Sequence, residues 1–478
     1  MAPPTHLGED PRERGVFANR TLNMRSVEVV GYDMDYTLIH YKVNEWEGAA
    51  FRAARDVLAR RGWPVDKLTF DPDQFTIGLV FDLLQGNVVK ATRFGHVVRA
   101  QHGNDPLTFE QQRDAYRETV VELSSDRFEF MNTLFELSRA SLFTQLVALH
   151  DAAPLSGVQS YGELYWVIHT ALGEAHLAGM LKAEISADPD RFVDLDPLVV
   201  PMLLDQRKAG KKLVLITNSD WAYSSQMMKY ALDPYCPKAT TWRDLFDLVV
   251  VSANKPRFFS AEDPMYRVVD EDESLLLPHD GPLEPGHVYF AGNARLIEQS
   301  LDVSGGQPLY VGDHLFGDVH VTKDVLRWRT ALVTRTIESE IADAIAFDDQ
   351  QHQLERLMAE KVMVDRKQAQ LRMARTNGRG REVSAELEEV QARVRELDEQ
   401  ISPLARAATG LGNEIWGPIM RAGKDKSLYA RQVERYADVY TSRVSNFGYE
   451  TPYAYLRAAR GSLPHDRITH PHEHLAVY

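Results

Sequence analysis

The sequence predicts an α/β protein, a Rossmann-like parallel sheet core interrupted by a mainly helical cap, with a helical hairpin near the C-terminus. Three observations carry this. Short, continuously apolar runs such as Lys212-Leu213-Val214-Leu215-Ile216 alternate with segments of helical periodicity, the pattern of parallel strands covered on both faces. Four such runs pass directly into polar clusters, and open parallel sheets bind ligands at those strand ends. Across residues 45–189 the strand rhythm stops, and apolar residues recur mainly at three- and four-residue spacing.

Residues 1–22 are polar and punctuated by proline, which predicts a loosely ordered arm. The first strand, Val27-Glu28-Val29-Val30-Gly31-Tyr32, runs out into Asp33-Met34-Asp35-Tyr36-Thr37-Leu38. Core sequence is expected at 23–44 and 190–349, with the cap at 45–189 between them. In the cap, residues 48–61, 109–123 and 128–150 carry helical spacing, while the runs on either side of Gln85-Gly86 predict a hairpin. A helix at 198–209 leads through Gly210 into the strand 212–216, which ends in Thr217-Asn218-Ser219-Asp220. Strands at 246–251 and 308–311 end in Ser252-Ala253-Asn254-Lys255 and Gly312-Asp313-His314, and a further strand is expected at 330–333. In 350–404, Val383, Leu387, Val390, Val394, Leu397, Ile401 and Leu404 keep a 4-3 spacing after a break at Asn377-Gly378, an antiparallel helical hairpin suited to a solvated arm or a subunit contact. The remainder, 405–478, is expected to pack back on the core.

At 478 residues the chain exceeds one compact core, so two or three domains are expected. A net charge of −15 argues against nucleic acid and anionic membranes as partners, since both require a basic face, but leaves room for a small anion in a locally positive cleft. Cys236 is the only cysteine, which fits a reducing compartment. Residues 1–20 lack the apolar centre of a signal peptide, and no apolar run nears the roughly 20 residues that span a bilayer. A cytoplasmic enzyme is the expectation.

Phosphoryl transfer needs a nucleophile, a proton carrier and positive charge around the phosphoryl oxygens. Asp33 suits the first role and Asp35 the second. Asp33, Asp313 and Asp318 are hard oxygen donors of the kind Mg²⁺ prefers. Thr217, Asn218 and Ser219 offer donors to phosphoryl oxygens, and Lys255 supplies a cation. Each piece alone has an ordinary alternative, turn closure for the aspartates and asparagine, and a solvated surface for the lysine. All four clusters in this order at strand ends form a specific signal.

The ordered set resembles the four motifs of the haloacid dehalogenase-like hydrolase superfamily. Longer matches resemble its cytosolic purine 5′-nucleotidase group, which prefers IMP and GMP: Gly78-Leu79-Val80-Phe81-Asp82, Gly86-Asn87, Gln101-His102-Gly103, and Gln432-Val433-Glu434-Arg435-Tyr436-Ala437-Asp438. The resemblance implies an aspartyl-phosphate on Asp33, with Asp35 protonating the leaving nucleoside oxygen and then activating water. It implies Mg²⁺ held by Asp33, the Asp35 carbonyl and Asp313, with Asp318 close by, and a phosphoryl group bound by Thr217, Asn218 and Lys255. It also implies that His176 stacks on the base, that Lys182 reaches the substrate, and that the protein is a homodimer or homotetramer. Transfer of the phosphoryl group to a second nucleoside is a further implied activity. The chain departs from the group at His169 and Gly173, which align with the residues reading the purine edge, and at Asp324, which replaces a lysine of an effector site near Phe316, Gln432, Arg435 and Tyr436. A sugar-phosphate phosphatase on the same core is the nearest alternative. A catalytically idle scaffold acting through the hairpin is the other, although Asp33, Asp35 and Lys255 are all present.

Overall fold

The computed structural model describes residues 11–177, 180–270, 275–459 and 461, with the side chains of 175–180 outside that description. In chain order its principal strands are β1 (Val16–Ala18), β2 (Val29–Tyr32), β3 (Val80–Asp82), β4 (Asn87–Ala91), β5 (Val97–His102), β6 (Asp105–Pro106), β7 (Phe128–Phe130), β8 (Lys212–Ile216), β9 (Leu248–Val251), β10 (Met265–Asp270), β11 (Leu275–His279), β12 (Val288–Ala291), β13 (Pro308–Gly312), β14 (Arg329–Val333) and β15 (Val439–Thr441).

One large sheet runs β1-β15-β14-β13-β2-β8-β9-β12-β10-β11. From β15 to β12 every pairing is parallel. β1 closes one edge antiparallel to β15, and the β10–β11 hairpin closes the other. β2 lies centrally, with Tyr32 level with Leu215 on one side and Val311 on the other. The residues that follow these three strands therefore emerge side by side. β2, β9 and β13 are buried along their whole length, and a core of Val214, Ile216, Val250, Phe259, Tyr310 and Trp328 packs around them. The fold class is the α/β arrangement that the apolar strand runs predict.

Several local expectations give way. The arm contributes β1, whose partner lies more than 400 positions along the chain, too far for local periodicity to reveal. The C-terminal segment supplies a parallel strand, β15, rather than only packing on the core. β12 and the β10–β11 hairpin appear where no strand is expected from sequence. The helical window at 128–150 begins as β7, because Phe128-Glu129-Phe130 alternates with period two; its helix, α2 (Leu137–Ala152), starts later. The helix expected at 109–123 ends at Tyr116, beyond which Val121 N–H donates to Gly95 O at 2.8 Å.

Between β2 and β8 the chain forms α1 (Val43–Arg60), a five-stranded sheet β6-β5-β4-β3-β7, α2 and α3 (Tyr161–Leu177). α1 carries a buried acid. Glu47 is 1% exposed, and its Oε2 accepts the Ser138 N–H at 2.8 Å. Burial pushes its pKa up to about 7, against the opposing hydrogen bonds from Ser138. A folded-state pKa raised this way favours the protonated acid, so its contribution is fully present below the ordinary value of 4.5 and is lost as pH rises to about 7. Glu47→Gln is accordingly expected to raise unfolding free energy above pH 7 by on the order of 2–3 kcal/mol, with little change near pH 4.5. Urea denaturation at pH 5 and pH 8 measures this.

α4 (Trp221–Leu232) follows β8 directly. Residues 339–418 belong to a second compact unit, considered by itself. In it α5 (Asp348–Ala374) and α6 (Gly380–Thr409) are joined by a turn in which Gly378 takes φ 87°, a left-handed conformation natural to glycine. Leu371, Val383 and Leu387 form a buried cluster near that turn, while Lys367–Glu386 at 2.8 Å and Arg393–Glu360 at 2.5 Å bridge the two helices. Among the described residues no helix is long and apolar enough to cross a membrane.

Candidate active site

Asp33 extends β2 by one residue, its N–H donating to Val311 O at 2.9 Å. Its Oδ1 accepts the Met34 N–H at 2.8 Å and lies 2.8 Å from Lys255 Nζ. The same ammonium reaches Asp318 Oδ1 at 2.9 Å and Tyr310 OH at 3.0 Å, so three acceptors match its three N–H bonds. Tyr310 OH in turn donates to Ile216 O at 3.1 Å, at the end of β8. The tyrosine ring lies over β2 where only glycine fits, since a Cβ on Gly31 would come within 2.8 Å of Tyr310 Cδ2.

Lys255 sits on a tightly formed loop. Ser252 and Asn254 take φ values of 48° and 60°, left-handed conformations uncommon for residues with a Cβ and frequent where a loop is held for function. Asn218 clamps the loop from β8, its Oδ1 accepting Lys255 N–H at 2.6 Å and its Nδ2 donating to Lys255 O at 3.2 Å. Ser219 is engaged as well. Its Oγ donates to Asp35 Oδ2 at 2.7 Å, and Tyr41 OH donates to Asp35 Oδ1 at 2.6 Å. Thr217 is fully buried, with Oγ1 accepting Ser219 N–H at 3.1 Å.

Asp33, Asp313 and Asp318 form the acidic cluster, with one carboxylate oxygen from each within 4.8 Å of the others. Asp318 Oδ2 accepts His314 N–H at 3.1 Å, and Asp313 Oδ2 accepts a hydrogen bond from Thr133 Oγ1 at 2.8 Å. Gly312 makes room for this packing, because a Cβ there would lie 2.6 Å from Asp318 Cγ. Gly312→Ala is expected to displace Asp318 and lower the melting temperature, because an atom 2.6 Å from a buried carboxylate carbon forces the packing to shift. Thermal melting checks it.

The charges are unbalanced. Burial pushes the Asp33 pKa up to about 7, with the neighbouring Asp318 and Asp35 carboxylates adding to the rise and Lys255 opposing it. Burial, then Asp318 and Asp33, hold Asp313 well above the usual carboxylate range. Burial works against the charge on Lys255, but Asp318 and Asp33 outweigh it, so its pKa stands well above that of a free lysine and it stays cationic. Three buried carboxylates facing one lysine leave an excess of negative charge on hard oxygen donors. Those residues fit a divalent cation of the Mg²⁺ type.

The structure thus brings together Asp33, Asp35, Thr217, Asn218, Ser219, Lys255, Asp313 and Asp318. The Asp35 carboxylate is outside the acidic cluster and turned to Tyr41 and Ser219. Lys182 lies beside this group, its Nζ 2.9 Å from Asp220 Oδ2 and 4.8 Å from the centre of the Tyr223 ring. The His176 side chain lies outside the described residues. On α3, His169 is exposed with its ring 5.3 Å from that of Trp166, and a Cβ on Gly173 would meet nothing within 4 Å. Near Phe316, Asp324 accepts His320 at 3.0 Å and the His320 and Tyr436 rings lie 4.0 Å apart. Sequence reasoning missed Tyr41, Tyr310 and Thr133. Tyr41 is close to Asp35 in sequence and Tyr310 close to Asp313, but Thr133 is 180 positions from its partner and carries no local signal.

The family model described as 5′ nucleotidase family matches residues 16–468. A 5′-nucleotidase domain-containing protein of Dictyostelium discoideum is 26% identical over 467 residues, spanning 96% of this chain and 75% of that protein. The 5′-nucleotidase domain-containing protein 2 of Homo sapiens is 26% identical over 445 residues, spanning 90% of this chain and 81% of that protein. Among solved structures, an archaeal beta-phosphoglucomutase from Pyrococcus sp. strain ST 04 aligns with a TM-score of 0.31 at 9% identity, covering 64% of this chain and 86% of that one.

Proposed function

The chain belongs to the 5′ nucleotidase family, and from that premise we propose that it is a phosphoric monoester hydrolase acting on nucleoside 5′-monophosphates, purine nucleotides of the IMP and GMP type, through a phosphorylated Asp33. The observation that carries the reading is the placement of Asp33 against Lys255, which also reaches Asp318, and within the Asp33–Asp313–Asp318 carboxylate cluster, with Asp35 held two residues away by two hydroxyl donors.

With Oδ1 held by Met34 N–H and Lys255, Oδ2 is the Asp33 oxygen available for attack on phosphorus. As that bond forms and the ester P–O bond breaks, Asp35 gives its proton to the departing nucleoside oxygen. Asp35 then takes a proton from water, which attacks the acyl-phosphate phosphorus, releases phosphate and restores Asp33. Ser219 Oγ suits this exchange, because a hydroxyl donates to the carboxylate and accepts from the carboxyl group. Lys255 holds positive charge beside the attacking carboxylate, and Asn218 holds Lys255 in place. Asp33, Asp313, Asp318 and the Asp35 carbonyl are the groups that would hold Mg²⁺, which supplies charge stabilisation to the phosphoryl oxygens when bound.

A second reading, phosphate release from sugar phosphates, is favoured by one feature: His169 and Gly173 stand where the resemblance expects the purine-reading pair, and discrimination depends on paired polar contacts. A phosphate-release screen over IMP, GMP, an aryl phosphate and sugar phosphates separates the two. Faster turnover of purine nucleotides, abolished by chelation and restored by Mg²⁺, is the expected result. Preference for sugar phosphates contradicts the nucleotide assignment.

A further inference from the structure

Thr133 stands just beyond β7, immediately before the helical turn Leu134–Glu136. A threonine in that position ordinarily turns its hydroxyl onto the free amides of the turn it precedes. Thr133 does not. Its backbone is extended, its side chain makes no capping bond, and Oγ1 donates instead to Asp313 Oδ2 at 2.8 Å. Thr133 and Asp313 are 3% and 8% exposed, so water competes little for this bond.

The neighbouring backbone fixes the hydroxyl from the inserted segment. Met131 N–H donates to Leu79 O at 2.9 Å, and Met131 O accepts the Gly78 N–H at 2.7 Å. The Phe130 ring lies 5.7 Å from that of Phe316, on the turn between Asp313 and Asp318. A carboxylate that ligates a metal gains affinity when its second oxygen is held by a donor, because less orientational freedom is lost on binding.

We propose that Thr133 is a positioning residue for the divalent cation: its hydroxyl, carried by the segment inserted between β2 and β8, holds Asp313 in the orientation that completes the site with Asp33 and Asp318. This rests on the nucleotidase reading above, in which those carboxylates hold the cation. Affinity for the cation then depends on an element outside the parallel sheet, and the insertion and the cation each stabilise the placement of the other.

The test measures Mn²⁺ binding to the full chain by calorimetry, for the unsubstituted protein, Thr133→Val, Thr133→Ser and Asp313→Asn. Thr133→Val keeps the shape and removes the donor, and it is expected to weaken Mn²⁺ binding about tenfold or more. Thr133→Ser keeps the hydroxyl and is expected to stay within about twofold, while at saturating Mn²⁺ the KM of Thr133→Val should match that of the unsubstituted protein. Melting of the metal-free variants shows whether each folds, and Thr133→Ala takes the place of the valine variant if that one does not. Equal Mn²⁺ affinity in the donor-less variant, or an equal loss in Thr133→Ser, overturns the proposal and leaves the nucleotidase reading standing. Absence of Mn²⁺ binding by the unsubstituted protein overturns both.

Discussion

Replacing Asp33 with asparagine is expected to lower phosphate release by at least about 10⁴-fold, since an amide cannot form the acyl-phosphate and removal of a nucleophile costs rates of this order. The fold should survive. Asp33 is a buried carboxylate whose pKa is pushed up to about 7, so losing its charge removes a desolvation cost, and Lys255 retains Asp318 at 2.9 Å and Tyr310 OH at 3.0 Å. Asparagine can still accept the Met34 N–H through its side-chain oxygen. A melting temperature equal to or above that of the unsubstituted protein, together with the rate loss, is the paired expectation. Activity within tenfold of the starting enzyme contradicts the role of Asp33.

Lys255→Met removes the cation in contact with Asp33 and Asp318 and should cost both rate and stability. Removing one partner of a buried charge pair typically costs about 3–5 kcal/mol, and removing a charge that stabilises a phosphoryl transition state costs about 10²–10³-fold in kcat. The stability loss should depend on pH in a definite direction. Asp33 already has a folded-state pKa near 7, raised above its ordinary 3.8 by burial, so its contribution is fully present below pH 3.8 and is lost as pH rises through about 7. Without the opposing effect of Lys255 that rise is larger. The variant is therefore expected to approach the unsubstituted protein in stability at pH 5 and to fall behind it at pH 8. A divalent cation at the acidic cluster would offset the charge that Lys255 no longer balances, so added Mg²⁺ should recover part of the difference at pH 8. Urea denaturation at the two pH values, with and without Mg²⁺, measures all of this. A pH-independent difference contradicts the electrostatic account.

What was legible in the sequence follows a physical rule. Asp33, Thr217, Lys255 and Asp313 lie far apart in the chain, yet each lies in the polar cluster that follows an apolar run. Parallel strands buried on both faces must be written that way, and their C-terminal ends share one edge of the sheet. The residue types at those ends then indicate the chemistry. Their partners were less legible. Asn218, expected at the phosphoryl group, holds the Lys255 backbone, and Ser219 serves Asp35. Neither contact has a local pattern, because each depends on how two strand-end loops meet. Thr133 and Tyr310 were hidden for related reasons, the first contributed from another sheet and the second by a strand residue that reads simply as core. Of the strands that escaped, β1, β12 and β15 are three or four residues long, the β10–β11 hairpin forms an edge, and the six-residue β5 extends the expected hairpin of the inserted segment. Strands of three or four residues span at most two full alternations, so pattern alone cannot separate them from loop.

Passage of phosphate through Asp33 is read out by mixing the enzyme with ³²P-labelled IMP and Mg²⁺, quenching in acid, reducing the trapped acyl-phosphate with borohydride and mapping the modified residue by mass spectrometry. Acid-stable, hydroxylamine-labile label on the protein and reduction of Asp33 alone to homoserine are the expected result. Turnover without any protein-bound label, or label on another residue, would contradict it.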